Sequence, residues 1–199
     1  MENKNKLWKE IRSWVLIIFG SFVFAFLINS EVLAKVIVEQ SSMENTLFQN
    51  QHLLVDEFSY KFDEPDRGDI IIFLKDEEKG NLGDSFIRYI DGFKSLFTKE
   101  ELHERYVKRV IGIEGDVVDI KDGYVYVNGE KLEEDYANGL TYPREFTLPY
   151  QVAHNELFVL GDNREVSSDS RAFGPISLKQ VEGKAFFRVY PFHKVGKIN

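Results

Sequence analysis

The sequence predicts a mostly β domain at residues 34–199 behind one membrane-spanning helix at residues 13–33. Short β-branched and aromatic runs, separated by Gly, Asp and Asn, predict the strands. A long uncharged stretch near the N-terminus predicts the membrane helix. Apolar residues at helical spacing between Phe73 and Tyr106 predict one further helix, inserted among the strands.

Composition excludes several classes of function. The formal net charge of −8 argues against nonspecific nucleic-acid binding, which needs a surface where Lys and Arg outnumber the acids. The absence of cysteine excludes thiol catalysis, cysteine-ligated zinc and disulfides. His and acidic residues do not cluster at metal-ligand spacing, so we expect neither a metal nor another cofactor.

The N-terminal helix is expected to anchor the chain in a membrane. Four basic residues precede the uncharged stretch 13–30: Lys4, Lys6, Lys9 and Arg12. As a helix the stretch would span about 27 Å, close to the ~30 Å of a hydrocarbon core. The basic flank places residues 1–12 in the cytoplasm and the domain that follows the helix outside it. The alternative is a cleavable signal peptide, because the small residue Ala34 offers a processing site.

Six runs read as strands, at residues 35–39, 69–74, 116–120, 124–127, 156–160 and 184–190. Asp122-Gly123 and Asn128-Gly129 are hairpin-turn signals. We therefore expect residues 117–120 and 124–127 to pair around a tight turn.

The insertion at residues 74–105 interrupts the β pattern. It carries a predicted amphipathic helix at residues 85–98, weakened by Gly92. The apolar stripe of this helix either packs against the β domain or binds a membrane surface or a partner.

Two short segments near the start of the domain each follow or precede an apolar strand. Ser42 lies in a polar segment, residues 41–47, directly after an apolar run. Residues 67–73 form an Arg-Gly-Asp turn that leads into an apolar strand, which favours a structural role. An adhesion function for that triplet is disfavoured, because the adjoining strand would be buried.

Two later segments place charged groups against apolar strands. Lys108 and Arg109 interrupt the apolar run at residues 106–113, where burial of a cation is costly. Alternation in a strand would send the two side chains to opposite faces, one solvated and one interior. A desolvated lysine has a lowered pKa and can act as a general base, whereas a lysine that reaches water cannot. Residues 161–174, dense in small polar and charged side chains, predict a loop with many internal hydrogen bonds.

These four segments, in this order behind an N-terminal apolar helix, resemble the signature boxes of bacterial type I signal peptidases. The segments at residues 106–116 and 161–174 carry most of the resemblance. It implies an antiparallel β-barrel or sheet catalytic domain and a serine–lysine dyad, with Ser42 as nucleophile and Lys108 as neutral general base. No histidine or metal takes part in such a dyad.

The resemblance also assigns supporting roles. It implies that Ser167 orients the lysine and that Asp169 and Arg171 form a structural charged pair. Asp162 and Asn163 would belong to a loop packed beside the lysine. The main-chain amide of Ser42 is the expected first oxyanion donor, and Gln40 stands where some members supply a second donor.

Secretory preproteins with Ala-x-Ala-like sites are the implied substrates, cleaved at the outer face of the cytoplasmic membrane. They would bind as an added strand, with small side chains in shallow pockets. Five residues match positions lining those pockets: Val36, Val38, Met43, Tyr106 and Val107.

The sequence departs from the family pattern at two positions. Asn45 and Glu114 stand where the family usually has proline, which fixes backbone conformation. With the long insertion, these departures favour a peptidase dedicated to few substrates, such as surface pilins, over a housekeeping enzyme.

Three rival functions are weaker. A noncatalytic, membrane-anchored precursor-binding or pilus-assembly factor would be expected to lose Ser42 or Lys108, and both are present. A histidine-based hydrolase is disfavoured because none of the four histidines lies in a triad signature. A soluble self-cleaving repressor is disfavoured by the apolar N-terminal stretch and by the absence of a helix-turn-helix pattern.

Overall fold

The computed structural model describes residue 8 and residues 10–21, 33–75 and 104–198. Residues 10–21 form helix α1, and a short helix α2 spans Ser170–Phe173. The strands are β1 Leu33–Ile37, β2 His52–Asp56, β3 Ile70–Leu74, β4 Arg105–Gly112, β5 Val117–Lys121, β6 Tyr124–Val127, β7 Glu130–Lys131, β8 Tyr150–Gln151, β9 Glu156–Leu160, β10 Ile176–Ser177, β11 Val181–Tyr190 and β12 Gly196–Lys197. Single 3-10 turns occur at Ser59–Lys61, Leu178–Gln180 and Phe192–Lys194.

The strands form two antiparallel sheets. The larger sheet has eight strands in the order β1-β2-β11-β3-β4-β9-β10, with β12 also paired to β11. The smaller sheet has the order β7-β6-β5-β8. The prediction of a mostly β, antiparallel domain is confirmed. The prediction of a closed barrel is not confirmed. In the described part of the chain, β1 does not pair with β10 in the large sheet, and β7 does not pair with β8 in the small sheet.

The predicted hairpin is confirmed. Lys121 pairs with Tyr124, so only Asp122 and Gly123 form the turn. Their φ angles of 53° and 85° fit a type I′ turn, whose twist matches that of paired strands. The second turn signal, Asn128-Gly129, joins β6 to β7 in the same way.

Strand boundaries follow the sequence closely where apolar runs are long. β6 and β9 have the predicted bounds, and β11 begins three residues earlier than residue 184. β2 lies outside the predicted runs although its burial alternates regularly. Its core-facing side chains, Leu53 and Val55, pack with Val38 and Ile72, neighbours that are distant in sequence.

Among the residues that the structure describes, no helix combines the length and the apolar character needed to cross a membrane. The predicted span 13–33 continues past α1 into residues outside the described ranges, and its last residue, Leu33, belongs to β1. The predicted helix at residues 85–98 also lies outside the described residues.

Candidate active site

Ser42 lies on a compact turn, residues 41–47, hereafter the Ser42 turn. The amides of Thr46 and Leu47 donate to the Met43 carbonyl at 3.1 and 2.7 Å. The side chains of Met43 and Leu47 are buried in a core cluster with Leu53. The turn therefore has a fixed apolar underside, and it leaves Ser42 8 % exposed.

Lys108 reaches this turn from β4. Its Nζ lies 2.8 Å from Ser42 Oγ, although the residues are 66 positions apart. The ammonium can also donate to the Val107 carbonyl at 3.1 Å. Lys108 is 1 % exposed, and burial lowers its pKa to about 8, against the weaker opposing effects of Asp169 and Asp162. The lowered pKa makes the neutral form of the amine, which has a free lone pair, accessible within hydrogen-bond distance of the Ser42 hydroxyl.

Arg109 corrects the expectation that one of the two adjacent cations is solvated. Both are buried, Arg109 at 2 % exposure, because β4 lies between β3 and β9 and is covered on both faces. The Arg109 guanidinium binds Asp162 through two parallel hydrogen bonds, Nε to Oδ1 at 3.0 Å and Nη2 to Oδ2 at 2.8 Å. This pairing neutralises its charge, while Lys108 has no carboxylate within ion-pair distance in the described chain.

The loop at residues 161–174 binds the Ser42 turn from the side. The Asn163 amide donates to the Ser42 carbonyl at 3.0 Å, and its side-chain amide donates to the Ser41 carbonyl at 3.2 Å. Thr46 Oγ1 donates to Asp162 Oδ2 at 2.5 Å. The turn, β4 and the loop thus hold one serine against one buried amine.

Comparison with known proteins identifies the family of this chain. The model of the family "Signal peptidase, peptidase S26" matches residues 11–190. This chain belongs to that family. It is therefore a hydrolase of the signal peptidase I type.

The chain resembles several signal peptidases. It is 34 % identical over 160 residues to a probable signal peptidase I-2 of Synechocystis sp., covering 80 % of this chain and 64 % of that protein, less than two thirds of its length. It is 31 % identical to signal peptidase IB of Staphylococcus aureus, with 92 % of each chain covered. A signal peptidase I structure from Enterococcus faecalis matches with 29 % identity, 61 % of this chain, 97 % of that chain and a TM-score of 0.40.

Asp169 and Arg171 form a buried charged pair, at 0 % and 1 % exposure. Their two contacts are each 2.8 Å, and Asp169 also caps α2 by accepting from the Arg171 amide. Asp169 Oδ2 further accepts from the Gly161 amide at 3.1 Å. The pair orders the loop without touching Ser42 Oγ.

Ser167 and Gln40 occupy different environments. Ser167 is fully buried beside Gly161, yet its hydroxyl has no hydrogen-bond partner within the described chain, Lys108 included. Gln40 is exposed and immediately precedes the Ser42 turn.

The residues that the resemblance assigns to substrate pockets differ in their burial. Val36 and Val107 are half-buried, and the Tyr106 ring centre lies 5.0 Å from Lys108 Nζ. Val38 and Met43 are buried in the core cluster under the turn. β1 is the edge strand of its sheet, and β4 pairs with β9 only from Arg109 onward.

Sequence reasoning missed several residues that complete the site. Tyr136 stacks on Arg109, with the guanidinium carbon 3.9 Å from the ring centre. Arg164 is buried and binds Glu134 at 2.7 Å, Thr141 Oγ1 at 2.5 Å and the Gly161 carbonyl at 3.0 Å. The position of Arg164 inside the 161–174 segment was a usable signal, whereas no local pattern marks Tyr136.

The Arg-Gly-Asp segment has the structural role that its sequence favours. Arg67 binds Asp116 at 2.8 Å, and Asp69 accepts from the Tyr60 hydroxyl at 2.7 Å and pairs with Lys184 at 2.5 Å. The charged side chains of Arg67 and Asp69 therefore both form ion pairs within the protein. As for metals, the described residues contain no convergent group of three or more His, Asp or Glu side chains.

Proposed function

We propose that this protein is a membrane-anchored serine endopeptidase that removes signal peptides from secretory preproteins, with Ser42 as nucleophile and Lys108 as general base. The single observation that carries the proposal is the 2.8 Å contact between Ser42 Oγ and the Nζ of a buried lysine. Buried amines that contact a serine hydroxyl without a neutralising carboxylate are unfavourable for stability and useful for catalysis.

The chemistry follows from this contact. Neutral Lys108 takes the Ser42 proton as Oγ bonds to the scissile carbonyl carbon. The C–N bond then breaks, the leaving amine takes the proton from Nζ, and an acyl ester remains on Ser42. Water hydrolyses the ester, with its proton passing through Lys108.

The developing oxyanion needs donors near Ser42. The Ser42 amide has no hydrogen-bond acceptor within the described residues, which leaves it available as the first donor. Exposed Gln40 would supply the second from its side-chain amide. Ser167, a buried residue of the 161–174 loop, would orient the Lys108 amine once substrate displaces the resting contact.

Among the described strands, β1 lies at the edge of its sheet and β9 does not pair with residues 106–108 of β4, and both edges support binding of the preprotein as an added strand. Val36, Tyr106 and Val107 would form the walls of the two pockets, and the buried Val38 and Met43 their floor. Pockets with such filled floors accept alanine-sized side chains, so we propose Ala-x-Ala-like sites.

The apolar character of α1 supports a membrane anchor. Trp14, Leu16 and Phe19 are exposed side chains of this helix, and no element of the described chain covers them. With the basic flank of residues 4–12, we propose a single-pass topology with a cytoplasmic N-terminus and an extracytoplasmic catalytic domain.

Alkaline extraction of membranes tests the anchor. The full chain should stay with the membrane pellet, and a Leu16→Arg/Phe19→Arg variant should move to the supernatant. An anchor at α1 is refuted if the two proteins fractionate alike.

A narrow substrate set, such as surface pilins, is the finer part of the proposal. It is supported by Asn45 and Glu114 in place of the family's prolines and by the insertion at residues 74–105. Processing of purified pilin precursors and of unrelated secretory precursors should differ widely in kcat/KM. Equal kcat/KM values for the two groups of precursors would refute the narrow substrate set and leave the rest of the proposed function unaffected.

The decisive experiment is cleavage of an Ala-x-Ala preprotein by the purified full chain in detergent. Ser42→Ala and Lys108→Ala should each abolish cleavage, while the exposed controls Ser168→Ala and Lys197→Ala should retain it. Cleavage by either dyad variant would reject the assigned mechanism. Inactivity of the wild type on all precursors, with binding retained, would favour the noncatalytic precursor-binding factor.

A further inference from the structure

Asn45 adopts a backbone conformation that proline cannot. Its φ angle is 100°, on the side of the φ/ψ map where only glycine and, less readily, asparagine and aspartate are common. Proline is fixed near −65°, so the family's usual residue does not fit this turn. The Ser42 turn therefore needs another means of rigidity than a proline ring.

The Asn45 side chain supplies a contact in its place. Nδ2 donates to the Tyr136 carbonyl at 2.9 Å, across 91 positions of sequence. Tyr136 belongs to residues 134–138, hereafter the brace. The brace also binds the 161–174 loop, because the Asn138 amide donates to the Asp162 carbonyl at 2.7 Å and the Arg164 amide donates to the Asn138 carbonyl at 3.0 Å.

The contacts from Asn45 return to the same turn. Tyr136 stacks on Arg109, which neighbours Lys108 in β4. Arg109 pairs with Asp162, and Asp162 accepts from Thr46, the residue that follows Asn45. One closed ring of contacts thus joins the element that carries Ser42 to the strand that carries Lys108.

We propose that Asn45 is a positioning residue: by tying the Ser42 turn to the Tyr136 carbonyl, it sets the distance between Ser42 Oγ and Lys108 Nζ. This role rests on the proposed dyad. Asn45 touches neither reacting atom, so it acts through the turn. Small displacements of a nucleophile from its base lower the rate of the chemical step more than they weaken substrate binding.

Glycine at position 45 separates the contact from the backbone conformation. Asn45→Gly permits the positive φ and removes Nδ2, while Asn155→Gly is a matched control at a φ of 62° in the loop that precedes β9. Both substitutions increase the entropy of the unfolded chain similarly. The Asn155 site lies outside the dyad, the ring of contacts and the pocket residues.

The experiment measures kcat, KM and the melting temperature of the full chain in detergent, with an Ala-x-Ala preprotein. Asn45→Gly should lower kcat roughly five-fold at unchanged KM. This is the effect expected when one solvent-exposed hydrogen bond is lost and the loss affects only the chemical step. Asn155→Gly should keep kcat while melting at a similarly reduced temperature. Equal kcat values for the two variants would overturn the proposal.

A crystal structure of Asn45→Gly separates this inference from the dyad itself. If Ser42→Ala still cleaves the preprotein, or if the wild type does not, the proposed mechanism fails. The distance between Ser42 Oγ and Lys108 Nζ can be measured in either case. A distance longer than the original 2.8 Å would support positioning by Asn45. An unchanged distance would overturn it, whatever the activity of the enzyme.

Discussion

Burial of Lys108 lowers both the stability of the fold and the pKa of its amine. Its amine is 1 % exposed, and its partners are the Ser42 hydroxyl and a main-chain carbonyl, neither of which carries charge. Burial lowers the pKa to about 8, so a useful fraction of the amine is neutral near physiological pH. The adjacent Arg109, in contrast, pairs with the Asp162 carboxylate at 2.8 Å.

The pKa of Lys108 predicts the pH dependence of cleavage. Only the neutral amine can accept the Ser42 proton, so kcat/KM should rise about tenfold per pH unit on the acid side and level off above about pH 8. Initial rates with a quenched fluorescent peptide, from about pH 6 to about pH 10, would measure this. A rate independent of pH below the plateau would contradict Lys108 as the base.

The same lowered pKa predicts that Lys108→Met stabilises the fold while it abolishes activity. The folded pKa of about 8 lies below the ordinary lysine pKa of 10.5, so below about pH 8 the buried ammonium destabilises the fold by about 3 kcal/mol. Wild-type stability from this group should rise between those two pH values, where only the unfolded chain still binds the proton. Denaturant unfolding should show this rise for wild type and not for Lys108→Met; identical pH curves would refute it.

At the scale of elements, the site depends on the close approach of the 161–174 loop to the Ser42 turn. Asn163 binds two carbonyls of the turn, and Asp162 binds Thr46 and Arg109 at once. Gly161 makes this approach possible, because a Cβ built there would lie 2.5 Å from the Ser42 carbonyl oxygen and would collide with Ser167. The glycine is thus required by packing and not by its φ angle.

Gly161→Ala should therefore displace the Ser42 turn. We expect a loss of about 1–3 kcal/mol in the free energy of unfolding, as for other overpacked sites, and a large fall in kcat. Gly196→Ala is the matched control, since a Cβ there meets nothing within 4 Å. Thermal unfolding and cleavage rates of both variants would check this. A Gly161→Ala variant with wild-type activity and an unchanged melting temperature would show that the loop can move to accommodate the methyl group.

At the scale of the molecule, Asp116 joins the two sheets. It accepts from Arg67, which precedes β3 of the large sheet, at 2.8 Å, and from Asn128, in the β6–β7 turn of the small sheet, at 2.8 Å. Burial would raise the pKa of the Asp116 carboxyl. Hydrogen bonds from the Ile113 amide, Arg67 and Asn128 outweigh that effect and lower the pKa below 3.8.

Asp116→Asn should weaken this junction in a pH-dependent way. A lowered folded pKa means that the carboxylate stabilises the fold above the unfolded value of 3.8, and that this stability is lost as the pH falls through the folded value. The variant should unfold more easily than wild type at neutral pH and lose less on acidification. Denaturant unfolding of both proteins at neutral and acid pH measures the difference. If the free energy of unfolding changes with pH equally in both proteins, Asp116 does not stabilise the junction between the sheets.

Particular residues show how far the sequence reaches. The turn Asp122-Gly123, the strand at residues 156–160 and the pairing of β5 with β6 were predictable, because turn chemistry and apolar runs act over a few residues. The resemblance predicts Ser42 and Lys108 as a catalytic dyad, and the structure places their side-chain atoms 2.8 Å apart. β2 was not, because its packing partners lie elsewhere in the chain.

The sequence by itself determined which local structures form and which residue types are available for chemistry. Tertiary structure decided the surroundings of these three cations: within the described residues Lys108 has no carboxylate at ion-pair distance, whereas Arg109 pairs with Asp162 and Arg67 with Asp116. It also decided the role of Tyr136, which no pattern marks and which contacts the site through Asn45 and Arg109. The physical reason is that a pKa or an ion pair depends on burial and on neighbours in space, and sheet pairing brings those neighbours together across tens of residues.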